Sequence, residues 1–118
     1  KGHAIQARVY AEDPKNFFPS PGKLRVFRQP RSNNVRVETG YAEGREVTPY
    51  YDPMIAKVIV HAETRDQAID RLIEALEAFE IQGPKNNIPA VLAVLRSEPF
   101  RAGRVHTGLI SEVLAKKN

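Results

Sequence analysis

The sequence predicts a domain of the α+β class, in which a small antiparallel β-sheet carries two to three packed helices. In the first half of the chain, apolar and polar residues alternate with a period of two between prolines and glycines, as in half-buried strands. From Thr64 onward, apolar residues recur at the spacing of an amphipathic helix. A length of 118 residues suits one domain, residues 1–118, with one hydrophobic core.

The first strand is expected at His3–Glu12. Its apolar residues share one face, and its polar residues, Arg8 and Glu12 among them, share the other. Pro14 ends the strand, because its ring lacks the N–H that a ladder requires. The following loop, Phe17–Gly22, contains two aromatic residues and two prolines, so we expect it to be stiff and packed against the domain.

Four further segments are predicted to complete the sheet. In the first of them, alternation places Leu24 and Val26 on one side and Phe27 on the other. The last is the most apolar, with only Lys57 polar before its end, and we expect it near the sheet centre. The four segments are Lys23–Arg28, Val35–Glu38, Glu46–Thr48 and Met54–His61.

Helical signals begin where the strands end. Thr64, followed three residues later by Gln67, forms a capping box that opens an amphipathic helix of about four turns. The Gly-Pro pair at 83–84 stops any continuation, and Asn87 is expected to be the N-cap of a second helix. A short terminal helix is expected at Leu109–Leu114. The expected buried face of the first helix is Ala68, Ile69, Leu72, Ile73, Leu76 and Phe79.

Composition excludes several classes of function. The absence of cysteine excludes disulfides, thiolate zinc sites and cysteine nucleophiles. The net charge of +4 raises the question of nucleic acid, but the basic residues are scattered among acidic ones without the aromatic residues that stack bases. No apolar run approaches the roughly 20 residues of a membrane span. His3, His61 and His106 lack metal-ligand spacing, and the glycines lack a phosphate-loop pattern, so no metal site is expected.

Three charged residues stand out by their placement. Arg8 and Glu12 share a face of the first strand, and Asp52 directly precedes the most apolar strand. If the sheet brings them together, one or two carboxylates would hold the guanidinium in a rigid fork suited to an oxyanion or a planar anion. The alternative is a cross-strand ion pair of little energetic consequence. Spacing alone leaves both interpretations open.

Three ordered stretches of the sequence resemble the C-terminal domain of biotin carboxylases. They are Gly2–Pro14, Phe18–Lys23 and Pro49–Lys57. The similarity continues through 64–68 and 83–89 to Phe100, and so covers nearly the whole chain. The resemblance implies a small antiparallel sheet with helices packed on it, a rudimentary hybrid motif.

The same resemblance implies an ATP-dependent carbon–nitrogen ligase, which uses bicarbonate to carboxylate N1 of biotin on a carrier domain as the first half-reaction of a biotin-dependent carboxylase. Arg8 matches the catalytic arginine that contacts the ureido oxygen of biotin and stabilises its enolate form. Asp52 matches an aspartate that helps to position this substrate site. Glu12 is left as a supporting or purely structural neighbour. ATP and Mg are bound mainly by the preceding ATP-grasp domain in this family, so the isolated chain is expected to be inactive.

The resemblance also implies partners: the ATP-grasp domain of the same chain, the biotin carboxyl carrier domain and the carboxyltransferase component. Arg36 falls where some members make a homodimer contact, but Asn33 and Asn34 depart from their pattern, so dimerisation is left open. Thr107 replaces an apolar residue that contacts adenine. The expected compartment is the cytoplasm, or the mitochondrial matrix in a eukaryote, and the acyl acceptor is left open. The alternative function is a non-catalytic interaction module that retains the fold and binds acidic partners through its positive charge.

Overall fold

A computed structural model describes residues 2–48 and 54–103 of the chain. It confirms the α+β class. In chain order the elements are β1 His3–Tyr10, β2 Gly22–Lys23, β3 Val26–Arg28, β4 Val35–Glu38, β5 Glu46–Val47, β6 Met54–Ala62, α1 Arg65–Ala78, β7 Glu80–Gln82, α2 Ile88–Leu95 and α3 Glu98–Arg101. The predicted helix Leu109–Leu114 lies outside the described residues.

The main sheet has three antiparallel strands in the order β1-β6-β4. The apolar strand β6 is central, as predicted, because both of its edges are paired. In the inner row, Ala7 of β1 faces Val58 of β6, which in turn faces Val37 of β4. The pairing of β1 with β6 is irregular at one place, between Val9 and Tyr10.

The prediction of a single continuous sheet was wrong. β2 pairs with β5 and β3 pairs with β7, which gives two separate two-stranded sheets. The segment Lys23–Arg28 changes partner midway: Leu24 N–H donates to Arg45 O at 2.8 Å, whereas Arg25 N–H donates to Gln82 O at 2.8 Å. The expected alternation fails at this change, and both Leu24 and Phe27 are buried.

The helix α1 covers the inner face of β1 and β6 and forms the core with them. Its capping box is confirmed: Gln67 N–H donates to Thr64 Oγ1 at 3.1 Å, and Thr64 N–H donates to Gln67 Oε1 at 3.3 Å. Burial of the apolar face, at about 25 cal/mol per Å², is the main stabilising contribution of such a helix. Its buried residues are Ala68, Ile69, Leu72, Ala75 and Leu76.

The short helix α3 was not predicted. Arg65 at the start of α1 fixes it, because its guanidinium donates to Phe100 O at 2.7 Å and to Arg101 O at 3.0 Å. The same guanidinium lies 4.9 Å from the centre of the Phe100 ring. Arg101 of α3 forms an ion pair with Asp70 of α1. These contacts hold the end of the described chain against α1.

The loop after β1 differs from the prediction of a packed loop. Phe17 and Phe18 keep 41% and 69% of their surface exposed. Phe17 also has a φ of 64°, a left-handed conformation that non-glycine residues adopt rarely.

In the described part of the chain, each helix is too short or too polar to cross a bilayer.

Candidate functional site

Arg8 lies on the open face of the main sheet, opposite the face that α1 covers. The alternation of β1 places it there, since Ala7 and Val9 point into the core and Arg8 is exposed. Directly across the sheet stand Lys57 of β6 and then Glu38 of β4. The site is therefore carried by backbone paired on rigid strands.

Arg8 and Lys57 form a like-charged cross-strand pair. Arg8 O points away from β6, where it accepts a hydrogen bond from Asn87. Arg8 and Lys57 are therefore a non-hydrogen-bonded pair of the antiparallel ladder, the kind of pair in which the two side chains lie closest. Like charges in this arrangement are destabilising unless another group compensates them. Glu38 compensates Lys57 at 4.0 Å and also pairs with Arg36 at 3.1 Å. Among the residues that the structure describes, Arg8 itself has no ion-pair partner.

Glu12 does not pair with Arg8. β1 ends at Tyr10 and the chain bends at Ala11. The backbone of Glu12 forms an isolated antiparallel bridge with Pro19. The Glu12 side chain lines an apolar groove of about 540 Å³ between β1 and α2. Burial raises the pKa of its carboxyl group, because desolvation disfavours the charged form.

Asp52 falls in residues 49–53, and Thr107 and His106 in residues 104–118, all outside the described part of the chain. The support of Arg8 by Asp52 therefore stays a prediction. In residues 2–48 and 54–103, no group of three or more His, Cys, Asp or Glu side chains could hold a metal ion.

Asn87 contacts β1 in a way that the sequence analysis missed. Its side chain was expected to cap α2, but it makes no capping bond and instead reaches the free edge of β1. Tyr10 N–H donates to Asn87 Oδ1 at 2.7 Å, and Asn87 Nδ2 donates to Arg8 O at 3.0 Å. Asn86, one residue before the N-cap position, accepts a bond from Ile88 N–H with its Oδ1 at 2.9 Å. The two consecutive asparagines before the helix were the available signal, since only one of them can stand at the N-cap position.

Asp13 anchors the loop that follows β1. Its Oδ1 accepts from Lys15 N–H at 2.8 Å and Asn16 N–H at 3.2 Å, and its Oδ2 lies 3.2 Å from Lys85 Nζ. Lys85 N–H in turn donates to Ser20 Oγ at 2.9 Å. The backbone bonds first, and then Lys85, lower the pKa of Asp13 by favouring its charged form. This corner ties the end of β1 to the segment that carries Asn87.

The lowered pKa of Asp13 makes a prediction about acid stability. A carboxyl group with a lower pKa in the folded state contributes stability above its unfolded pKa of about 3.9, and this contribution is lost as pH falls through the folded pKa. We expect Asp13→Asn to lower the melting temperature near neutral pH by a small amount, and the difference from wild type to shrink as the pH falls below the unfolded pKa. Thermal melts across this range measure it. A difference that stays constant with pH would contradict it.

Comparison with known proteins places this α+β domain, with its exposed arginine on a paired strand, among the biotin-dependent carboxylases. The family model of the biotin carboxylase C-terminal domain matches residues 6–112. A biotin carboxylase of Halalkalibacterium halodurans is 48% identical over 117 residues, which cover 99% of this chain and 26% of the relative.

Solved structures agree with the sequence match. The biotin carboxylase subunit of a pyruvate carboxylase superposes with a TM-score of 0.92 at 43% identity, covering 98% of this chain and 26% of that one. The biotin carboxylase domain dimer of Hydrogenobacter thermophilus 2-oxoglutarate carboxylase, solved with MgADP, ADP and bicarbonate, gives a TM-score of 0.91 at 41% identity, covering 95% and 25%. The chain belongs to the biotin carboxylase C-terminal domain family, and it spans about a quarter of the length of these relatives.

Proposed function

We propose that residues 1–118 form the C-terminal domain of a biotin carboxylase and supply part of its biotin site. The observation that carries the proposal is the guanidinium of Arg8, which is exposed on a rigid strand without an ion-pair partner among the described residues. The planar guanidinium fork suits an oxygen atom that gains negative charge during a reaction.

In this proposal Arg8 donates hydrogen bonds to the ureido oxygen of carrier-borne biotin. Carboxylation at N1 requires the ureido group to become nucleophilic, which places negative charge on that oxygen. A charge-assisted hydrogen bond strengthens as the charge develops, so Arg8 would stabilise the transition state more than the bound substrate. Lys57, directly opposite, adds positive potential on the same face.

The other predicted residues have supporting parts. Asp52 is proposed to orient the substrate site beside Arg8. Glu12 is proposed to act through the packing of its partly buried side chain between β1 and α2, since it makes no ion pair with Arg8. Binding of ATP and Mg is assigned mainly to the preceding ATP-grasp domain, which lies outside residues 1–118.

Proposed partners follow from the same assignment. They are the ATP-grasp domain, the biotin carboxyl carrier domain and the carboxyltransferase component, and the dimeric relative supports a homodimer. The proposed compartment is the cytoplasm, or the mitochondrial matrix in a eukaryote.

The test is Arg8→Ala in the full-length enzyme. We expect carboxylation of free biotin to fall about 10²–10³-fold, the usual cost of removing one donor to a developing oxyanion. Any bicarbonate-dependent ATP hydrolysis measured without biotin should persist, because the role proposed for Arg8 is toward biotin. Product formation and ADP release are both measured.

Arg28→Ala is the matched control, because Arg28 is an exposed strand arginine that pairs with Glu80 at 3.7 Å, in a different sheet. It should carboxylate biotin at the wild-type rate. Wild-type carboxylation by Arg8→Ala would instead favour the non-catalytic interaction module.

A further inference from the structure

The side chain of Asn87 bonds the edge of β1 on either side of Val9, to Arg8 O and to Tyr10 N–H. We propose that Asn87 is a positioning residue, which fixes the backbone of Arg8 and so the direction of its guanidinium. The inference rests on the proposed role of Arg8.

The amide of Asn87 acts as one residue of an additional strand. Its Oδ1 accepts from Tyr10 N–H at 2.7 Å and its Nδ2 donates to Arg8 O at 3.0 Å. The backbone N–H of Asn87 adds a third bond, to Tyr10 O at 3.2 Å. This pattern needs one donor and one acceptor on a short planar group. An aspartate lacks the donor, and an alanine lacks both.

The position of these bonds matches a weak place in the sheet. β1 is an edge strand, so β6 holds it from one side only. The β1–β6 register is irregular between Val9 and Tyr10, directly after Arg8. An edge strand with an irregular ladder has fewer bonds to fix its path. Asn87 supplies bonds on the free edge at that place.

The arrangement has a structural cost for α2. Asn87 occupies the N-cap position, where an asparagine side chain commonly stabilises a helix by capping it. Its side chain forgoes that bond and is buried, with 6% of the residue exposed. A buried amide with both ends bonded restricts the backbone that it contacts. The position of β1 near Arg8 is therefore fixed at the expense of the cap.

The test is a double-mutant cycle in the full-length enzyme, with free biotin as substrate. A displacement of about 1 Å at a reacting group can cost 10²-fold in rate, so we expect Asn87→Ala to lower kcat/KM for biotin about 10–100-fold. Biotin-independent, bicarbonate-dependent ATP hydrolysis should change less than about twofold, since that reaction does not use Arg8. A merely structural defect would lower both activities together.

Measuring Asn87→Ala in the Arg8→Ala enzyme shows whether Asn87 acts through Arg8 or independently of it. If Asn87 acts through Arg8, Asn87→Ala should lower the residual rate of Arg8→Ala by less than about threefold. Asn86→Ala is the matched control, because it removes a side-chain bond in the same segment without touching β1. It should leave kcat/KM for biotin within about twofold of wild type.

Each other outcome overturns a definite statement. An unimpaired Arg8→Ala enzyme rejects the proposed function, and the role of Asn87 with it. If Arg8→Ala is impaired, two outcomes reject the role of Asn87 and leave the proposed function intact. One is full activity of Asn87→Ala, and the other is a double variant whose loss equals the product of the two single losses. Equal losses in Asn86→Ala and Asn87→Ala also reject it, because both would then report the stability of α2.

Discussion

Gly83→Ala is expected to destabilise the chain by about 3–5 kcal/mol. The backbone of Gly83 has a φ of 128°, which residues with a side chain rarely adopt. A Cβ atom there would lie 2.0 Å from Lys23 O, a backbone atom that cannot rotate away. Relief requires the β3–β7 pairing to shift, which adds lost hydrogen bonds of about 1 kcal/mol each to the collision. Chemical denaturation measures the free energy of unfolding.

Gly44→Ala is the matched control for this collision. Gly44 also has a positive φ, 92°, but a Cβ atom there would meet nothing within 4 Å. Its substitution should cost only the conformational term, about 1–2 kcal/mol. Equal losses at the two glycines would show that backbone conformation alone, and not contact with Lys23, makes Gly83 necessary.

Gly83 also shows what the sequence could not predict about the fold. The Gly-Pro pair at 83–84 was interpreted as a stop signal for the first helix, but α1 already ends at Ala78 and the pair follows strand β7. No sequence pattern indicated that the three residues Glu80–Gln82 pair with Val26–Arg28, more than fifty positions earlier in the chain. Such short strands have too few residues for a period to be visible, and only tertiary contacts select their partner.

The long elements were predictable for the opposite reason. β6 has nine residues and α1 has fourteen, so the periods of two and of 3.6 each repeat several times. The capping box at Thr64 is a local interaction that is complete within four residues, and the structure reproduces it. Such elements can be predicted because local preferences and tertiary packing favour the same structure.

For the candidate site, alternation predicted the exposure of Arg8 but not its neighbours. Spacing left a pairing of Arg8 with Glu12 open, and the described residues contain no such pair, because β1 ends at Tyr10 and Glu12 lines a groove beside α2. The cross-strand neighbour Lys57 and the edge contact from Asn87 depend on register and on helix docking. Neither can be predicted from spacing along the chain, and the chemical role proposed for Arg8 comes from the resemblance to a known family.

The helix beneath the site provides the second large effect, and two isoleucines one turn apart provide the comparison. Ile69 and Ile73 both belonged to the predicted buried face of α1, yet Ile69 is fully buried and Ile73 is only half-buried. α1 packs on β1 and β6 directly behind Arg8 and Lys57. We expect Ile69→Ala to cost about 3–4 kcal/mol, because the lost methylene groups leave a cavity that the paired strands cannot close.

Ile73→Ala should cost about 1–2 kcal/mol, since its side chain already meets solvent and the space that it leaves can fill with water. Both substitutions remove the same atoms at the same helix propensity, so the difference between them measures burial against the sheet. Denaturation of the two variants under identical conditions gives that difference. Equal losses in the free energy of unfolding would mean that Ile69 does not pack more tightly against β1 and β6 than Ile73 does. The sheet that carries Arg8 would then depend on other contacts for its rigidity.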